Sequence, residues 1–162
     1  MKRPYEKILC CVDRDEMAAE VLDEALRLAD GVPSALRIVH VVAPPQTVLA
    51  GPFAYVAPVV EMDDEAAVWL REVNQLVPEA TTVLLAGDPA HEVCTWAESN
   101  GVDLMVAAAR RGFMERVMLG GFASRLAYSA PCSLLLIHPL AERRASADAI
   151  AQTAGEPVSP PR

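Results

Sequence analysis

Five short apolar runs, at residues 8–12, 36–42, 81–86, 104–108 and 132–137, constrain this chain more than any other feature. Each of the first four is followed, directly or after a loop, by a stretch whose apolar residues recur at helical spacing. Ala18, Val21, Leu22, Ala25, Leu26 and Ala29 form the first such stripe, closed by Gly31 and Pro33. Met62, Ala66, Trp69, Leu70, Val73 and Leu76 form the second, with Pro78 just beyond. Val93, Cys94 and Ala97, with Trp96 beside them, form the third, and Phe122, Ala123, Leu126 and Ala127 the fourth. Runs such as Ile8-Leu9-Cys10-Cys11-Val12 lack the apolar–polar alternation of a half-exposed strand, which suits a strand covered on both faces. Alternating strands and helices of this kind imply an α/β fold with a doubly wound, five-stranded parallel sheet.

With 162 residues the chain is expected to form one domain. That domain is expected over residues 1–139. Beyond it, residues 140–162 turn to Ala, Ser, Arg, Glu and Pro, as in a flexible tail. Residues 43–60 hold Pro44, Pro45, Pro52 and Pro58 and are expected to form a long loop. Apolar residues make up 52% of the chain, yet no run approaches the roughly 18 needed to cross a membrane. The charged start, Met1-Lys2-Arg3-Pro4-Tyr5-Glu6-Lys7, lacks the apolar stretch of a secretory signal, so a cytoplasmic location is expected. A net charge of −8 argues against nucleic acid as a partner. Arg110, Arg111 and Arg116, clustered near one loop, suit a small anion or are solvated surface charge.

Open parallel sheets take ligands at the carboxyl ends of their strands, where strand order reverses. Two segments fit that place. Val12-Asp13 follows the first run, and Asp13 either caps the next helix or accepts hydrogen bonds from a ribose or base. The second segment runs from Ala109-Arg110-Arg111-Gly112 to Gly120-Gly121-Phe122. Two glycines before a helix present unpaired N–H groups and a positive dipole end, which favours phosphate. The other reading is a connector whose glycines only permit turns. A Walker loop, GxxxxGK[ST], is absent.

Further residues carry less chemistry. Asp88 and Pro89 have the types expected at a helix cap and first position. His40, inside a strand, reads as a satisfied core residue. His91 and His138 lie on other elements, and no catalytic triad is evident. Asp63-Asp64-Glu65 reads as a solvated helix start rather than a metal site. Cys10, Cys11, Cys94 and Cys132 show no zinc spacing and read as reduced, inert thiols.

Taken together, Ile8-Leu9-Cys10-Cys11-Val12-Asp13, the His40-Val41-Val42 strand end, Gly87-Asp88-Pro89, Val102-Asp103-Leu104-Met105-Val106, Leu119-Gly120-Gly121 and Ala130-Pro131-Cys132 resemble the universal stress protein family. The likeness runs from about Tyr5 to Pro139. It implies the flavodoxin-like, adenine nucleotide alpha-hydrolase-like architecture with strand order 3-2-1-4-5, and homodimers paired through the fifth strand. One branch of the family binds ATP or related adenine nucleotides through G-x2-G-x9-G-[S/T]. Here Ala109 stands at the first glycine, Gly112 at the second and Gly120 at the third, with Gly121 in place of Ser or Thr. Phe113 to Leu119 gives seven intervening residues instead of nine. By this resemblance Cys11, Val12, Asp13 and Val41 would meet base and ribose. Arg111, Gly112, Gly120, Gly121, Phe122 and Ala123 would meet phosphates, beside Ala109.

The implied function is a stress-response regulator, not an enzyme, that binds ATP, ADP or AMP without fast turnover, with Mg as a candidate companion ion. The alternative is a nucleotide-free dimeric interaction module of the same fold. An enzyme on this architecture ranks third, because fold alone does not fix activity.

Overall fold

The computed structural model describes residues 4–43, 59–109 and 121–139, with backbone alone for 59–63. Elements follow in the order β1 (Ile8–Cys11), α1 (Ala18–Leu28), a 3-10 turn (Pro33–Ala35), β2 (Leu36–Val42), α2 (Val59–Leu76), β3 (Thr81–Ala86), α3 (Pro89–Asn100), β4 (Leu104–Ala108), α4 (Gly121–Ser129) and β5 (Ser133–Ile137). The five strands form one parallel sheet in the order β3-β2-β1-β4-β5. Residues 44–58, expected as a loop, and the tail at 140–162 lie outside the described residues. Val59 and Val60, expected in that loop, instead open α2.

β1 is the middle of the sheet. Its register sets Cys10 beside Ile38 on one flank and Val106 on the other. All four of its residues are buried. Successive side chains of a strand point to opposite faces, so β1 feeds two cores at once. Ile8 and Cys10 join Val21, Leu22, Ala25, Leu70 and Val73 beneath α1 and α2. Leu9 and Cys11 join Val93, Ala97, Met105 and Leu126 beneath α3 and α4. The continuous apolar run in the sequence is thus the signature of a strand with helices on both sides.

Helix ends follow local chemistry. The Asp88 carboxylate accepts the His91 N–H at 3.0 Å and Pro89 occupies the first turn of α3. Gly101 ends that helix in the left-handed region, φ 63°, where a side chain would be strained. Ahead of α1 the Asp15 carboxylate accepts the Met17 N–H at 2.8 Å, and the helix itself begins after Met17 with no side-chain cap bond. The expectation that Asp13 caps this helix is corrected: its side-chain oxygen accepts the neighbouring Arg14 N–H instead, at 2.8 Å.

Two stripe positions also shift. Leu76 is 75% exposed, while Val77 is buried. The Val77 N–H bonds back only three residues, to Asn74 at 3.2 Å, and this tighter last turn brings Val77 rather than Leu76 to the sheet. On α4, Ala123 and Leu126 are buried but Ala127 is exposed.

Leu126 is fully buried and is α4's main anchor in the core. Leu126→Ala is expected to cost about 2–5 kcal/mol, read as a lower midpoint at unchanged slope in urea unfolding.

Candidate functional site

The reversal in strand order falls between β1 and β4, since β2 lies on one side of β1 and β4 on the other. The chain leaves β1 at Val12. The Val12 N–H still reaches across to the Val39 carbonyl at 3.0 Å, but its own carbonyl oxygen is met by Nδ1 of His40, at 3.1 Å. The chain then turns sharply. The Asp15 N–H donates to the Asp13 carbonyl at 2.9 Å, and Arg14 reaches Glu65 of α2 at 3.2 Å.

This turn places Asp13 at the carboxyl end of β1 with its side chain 67% exposed. His40 Nδ1 is 3.8 Å from its carboxylate. Around Asp13, the side chains of Cys11 and Val12 are buried and Val41 is half-buried. Cys11 packs with the α3–α4 core and Val12 with the α1–α2 core. What these two offer a ligand is therefore chiefly main chain, while Asp13 offers an exposed carboxylate.

On the neighbouring strand, the Ala109 N–H donates to the Ile137 carbonyl at 2.8 Å, extending the ladder one residue past β4. Ala109 is buried, so its methyl group is accommodated at the position where the resembled motif has glycine. Arg111, Gly112 and Gly120, with Arg110, lie outside the described residues. Gly121 begins α4. It is exposed, and a Cβ built there would meet nothing within 4 Å. Phe122 is half-buried and Ala123 buried against the sheet. The described structure thus assembles Cys11, Val12, Asp13 and Val41 at one end of the sheet, with Ala109 on the adjacent strand end.

His40 is buried, as expected of a core histidine, and rests edge-on against Trp69 of α2, ring centroids 5.1 Å apart. Its bond to the turn was not foreseen. A histidine on the penultimate stretch of a strand next to the switch point is the one signal the sequence carried. A second unforeseen feature is a bidentate ion pair. Arg125 of α4 donates through Nη1 and Nη2 to the Asp88 carboxylate, at 2.6 and 2.5 Å. It ties the N-terminus of α3 to α4.

Burial pushes the Cys10 thiol up to about 12 and Cys11 well above the ordinary thiol range. Desolvation also raises Cys94 and Cys132. A groove of about 260 Å³ lies between α3 and α4, lined by residues that include His91, Cys94, Thr95 and Arg125. None of the expected site residues lines it.

The Asp88 carboxyl is held below the ordinary range, first by the Arg125 hydrogen bonds and then by the His91 N–H. A depressed folded value means that the pair stabilises the fold fully above the unfolded value of about 3.9. That contribution is lost as pH falls through the folded value. Asp88→Asn, which keeps a capping oxygen but removes the charge, is expected to melt below wild type at pH 7. The two melting temperatures should converge as the pH drops below 4.

Comparison with known proteins places the molecule. The model of the universal stress protein family matches residues 4–138. The universal stress protein YxiE of Bacillus subtilis is 27% identical, covering 82% of this chain and 99% of its own. A universal stress protein solved in complex with cAMP superposes with a TM-score of 0.62 at 19% identity, covering 83% of this chain and 97% of its own. A family protein from Arabidopsis thaliana with AMP bound gives 0.55 at 13% identity, covering 85% and 94%. With the strand order, the switch point and the matched length in agreement, the chain belongs to the universal stress protein family.

Proposed function

We propose that this chain is a cytoplasmic regulator that binds an adenine nucleotide at the carboxyl ends of β1 and β4 and holds it without fast turnover. The observation that carries the reading is the exposed Asp13 carboxylate at the strand-order reversal, with Val41 and the main chain of Cys11 and Val12 around it. Family membership supports it, as do the cAMP and AMP complexes of two proteins with this fold. Ribose hydroxyls are donors, and a carboxylate is their natural acceptor. The phosphates would fall to Arg111, Gly112 and Gly120, and to the first turn of α4 at Gly121, Phe122 and Ala123, past Ala109. ATP, ADP and AMP all fit this description, and any Mg would arrive on the phosphates. Two features beside Asp13 support slow turnover. The Cys11 thiol is held protonated by burial, and His40 is engaged by the Val12 carbonyl.

Gly121 stands where the family's nucleotide-binding branch has a hydroxyl, and space is open for a side chain there. Gly121→Ser is therefore expected to tighten ATP binding about tenfold, the worth of roughly one charge-assisted hydrogen bond. Titration calorimetry with ATP, ADP and AMP measures this. Gly120→Val should weaken all three in a protein that still folds. If wild type takes up none of them at millimolar ligand, the nucleotide reading is wrong.

A second reading, a dimeric interaction module that works without nucleotide, is favoured by β5. Among the described residues this edge strand pairs only with β4, and it presents Leu134, Leu135 and Leu136 half-buried. An apolar edge strand invites a further strand. A second copy of β5 would cover it with two-fold symmetry. Sedimentation at micromolar concentration should return twice the 17.4 kDa chain mass, and a monomer would remove the dimer from either reading.

A further inference from the structure

We propose that His40 is the positioning residue of the nucleoside subsite, holding the Val12–Asp13 turn in shape without touching the ligand. This inference rests on the reading above for its effect on binding, but its structural content stands apart from it. The geometry determines how His40 must act. A backbone carbonyl only accepts, so the 3.1 Å approach of Nδ1 to the Val12 oxygen requires the proton on Nδ1. That tautomer is available to neutral imidazole.

The ring has little freedom to do otherwise. It is buried and wedged edge-on against Trp69, which α2 supplies from the far side. Val12 is held at both ends. Its N–H is bonded to Val39 and its carbonyl to His40, so two bonds from β2 clamp the residue that follows β1. Asp13 is the next residue, and its carboxylate lies 3.8 Å from the same ring nitrogen. Release of the Val12 carbonyl would leave a buried acceptor unpaired or let the turn move toward solvent. Either outcome displaces the exposed carboxylate that the ribose would meet.

Two substitutions separate this role from packing. The Asn amide nitrogen can occupy the place of Nδ1, so His40→Asn keeps the donor. His40→Leu keeps apolar bulk but removes it. The first measurement, on the full chain, is amide hydrogen exchange over residues 13–17 by mass spectrometry. Faster exchange confined to this segment is expected in His40→Leu, with wild-type protection in His40→Asn. The second is calorimetry with adenosine and with inorganic triphosphate. His40→Leu should weaken adenosine about five- to tenfold, the worth of one neutral hydrogen bond. Triphosphate should be unchanged, and His40→Asn should bind adenosine within about twofold of wild type.

The inference is overturned if residues 13–17 exchange alike in wild type and His40→Leu. It is also overturned if both variants lose protection across the whole chain, which would make His40 a packing residue only. If wild type binds no nucleotide while His40→Leu still loosens the turn, the functional proposal fails and the positioning role stands. If wild type binds adenosine and His40→Leu binds it equally well, the positioning role fails and the functional proposal stands.

Discussion

The burial of β1 on both faces is the constraint from which the rest of this molecule follows. Four residues, none more than 8% exposed, are hydrogen-bonded to β2 on one flank and β4 on the other. A parallel neighbour on each side requires a crossover connection on each side. Right-handed crossovers then place α1 and α2 on one face and α3 and α4 on the other. The same strand is where the chain changes direction of winding. The connections that follow β1 and β4 therefore lead to helices on opposite faces of the sheet, and a crevice opens between the two strand ends. Core and crevice have one cause.

That geometry explains the chemistry near Asp13. The strand must end where the sheet ends, and the main-chain groups of its last residues need partners. The Val12 N–H takes a carbonyl of β2, and its carbonyl takes a side chain of β2. With its neighbours fixed in this way, Asp13 can stay exposed without being disordered. A mostly solvated carboxylate on a rigid support is well suited to accept hydroxyl donors, since it loses little freedom on binding.

Much of this was legible in the sequence, and the reasons are local. β2, β3 and β4 begin and end at the residues the apolar runs suggest, because turn-forming residues flank them: Pro33-Ser34 before β2, Gly87-Asp88 after β3, and Asn100-Gly101 before β4. The parallel order required more than pattern, and it came from the family resemblance. What periodicity misjudged were positions decided by a single bond. Leu76 lost its place to Val77 through one i→i−3 hydrogen bond, and Asp13 bonds to the neighbouring Arg14 N–H instead of capping α1. The candidate site was legible only in part. Asp13, Val12 and Val41 could be placed because they end strands. The roles of His40 and Arg125 depend on contacts 28 and 37 residues away in sequence, with Val12 and Asp88, and no local pattern records such contacts.

The central claim is that an adenine nucleotide occupies the β1–β4 crevice, and nuclear magnetic resonance of the ¹⁵N-labelled chain tests it directly. On titration with ATP, the account predicts amide shifts concentrated at Val12, Asp13, Arg14, Val41, Ala109 and Gly121 to Ala123, with His91, Cys94 and Thr95 in the α3–α4 groove unmoved. Shifts centred on that groove, or none at saturating ATP, would contradict it.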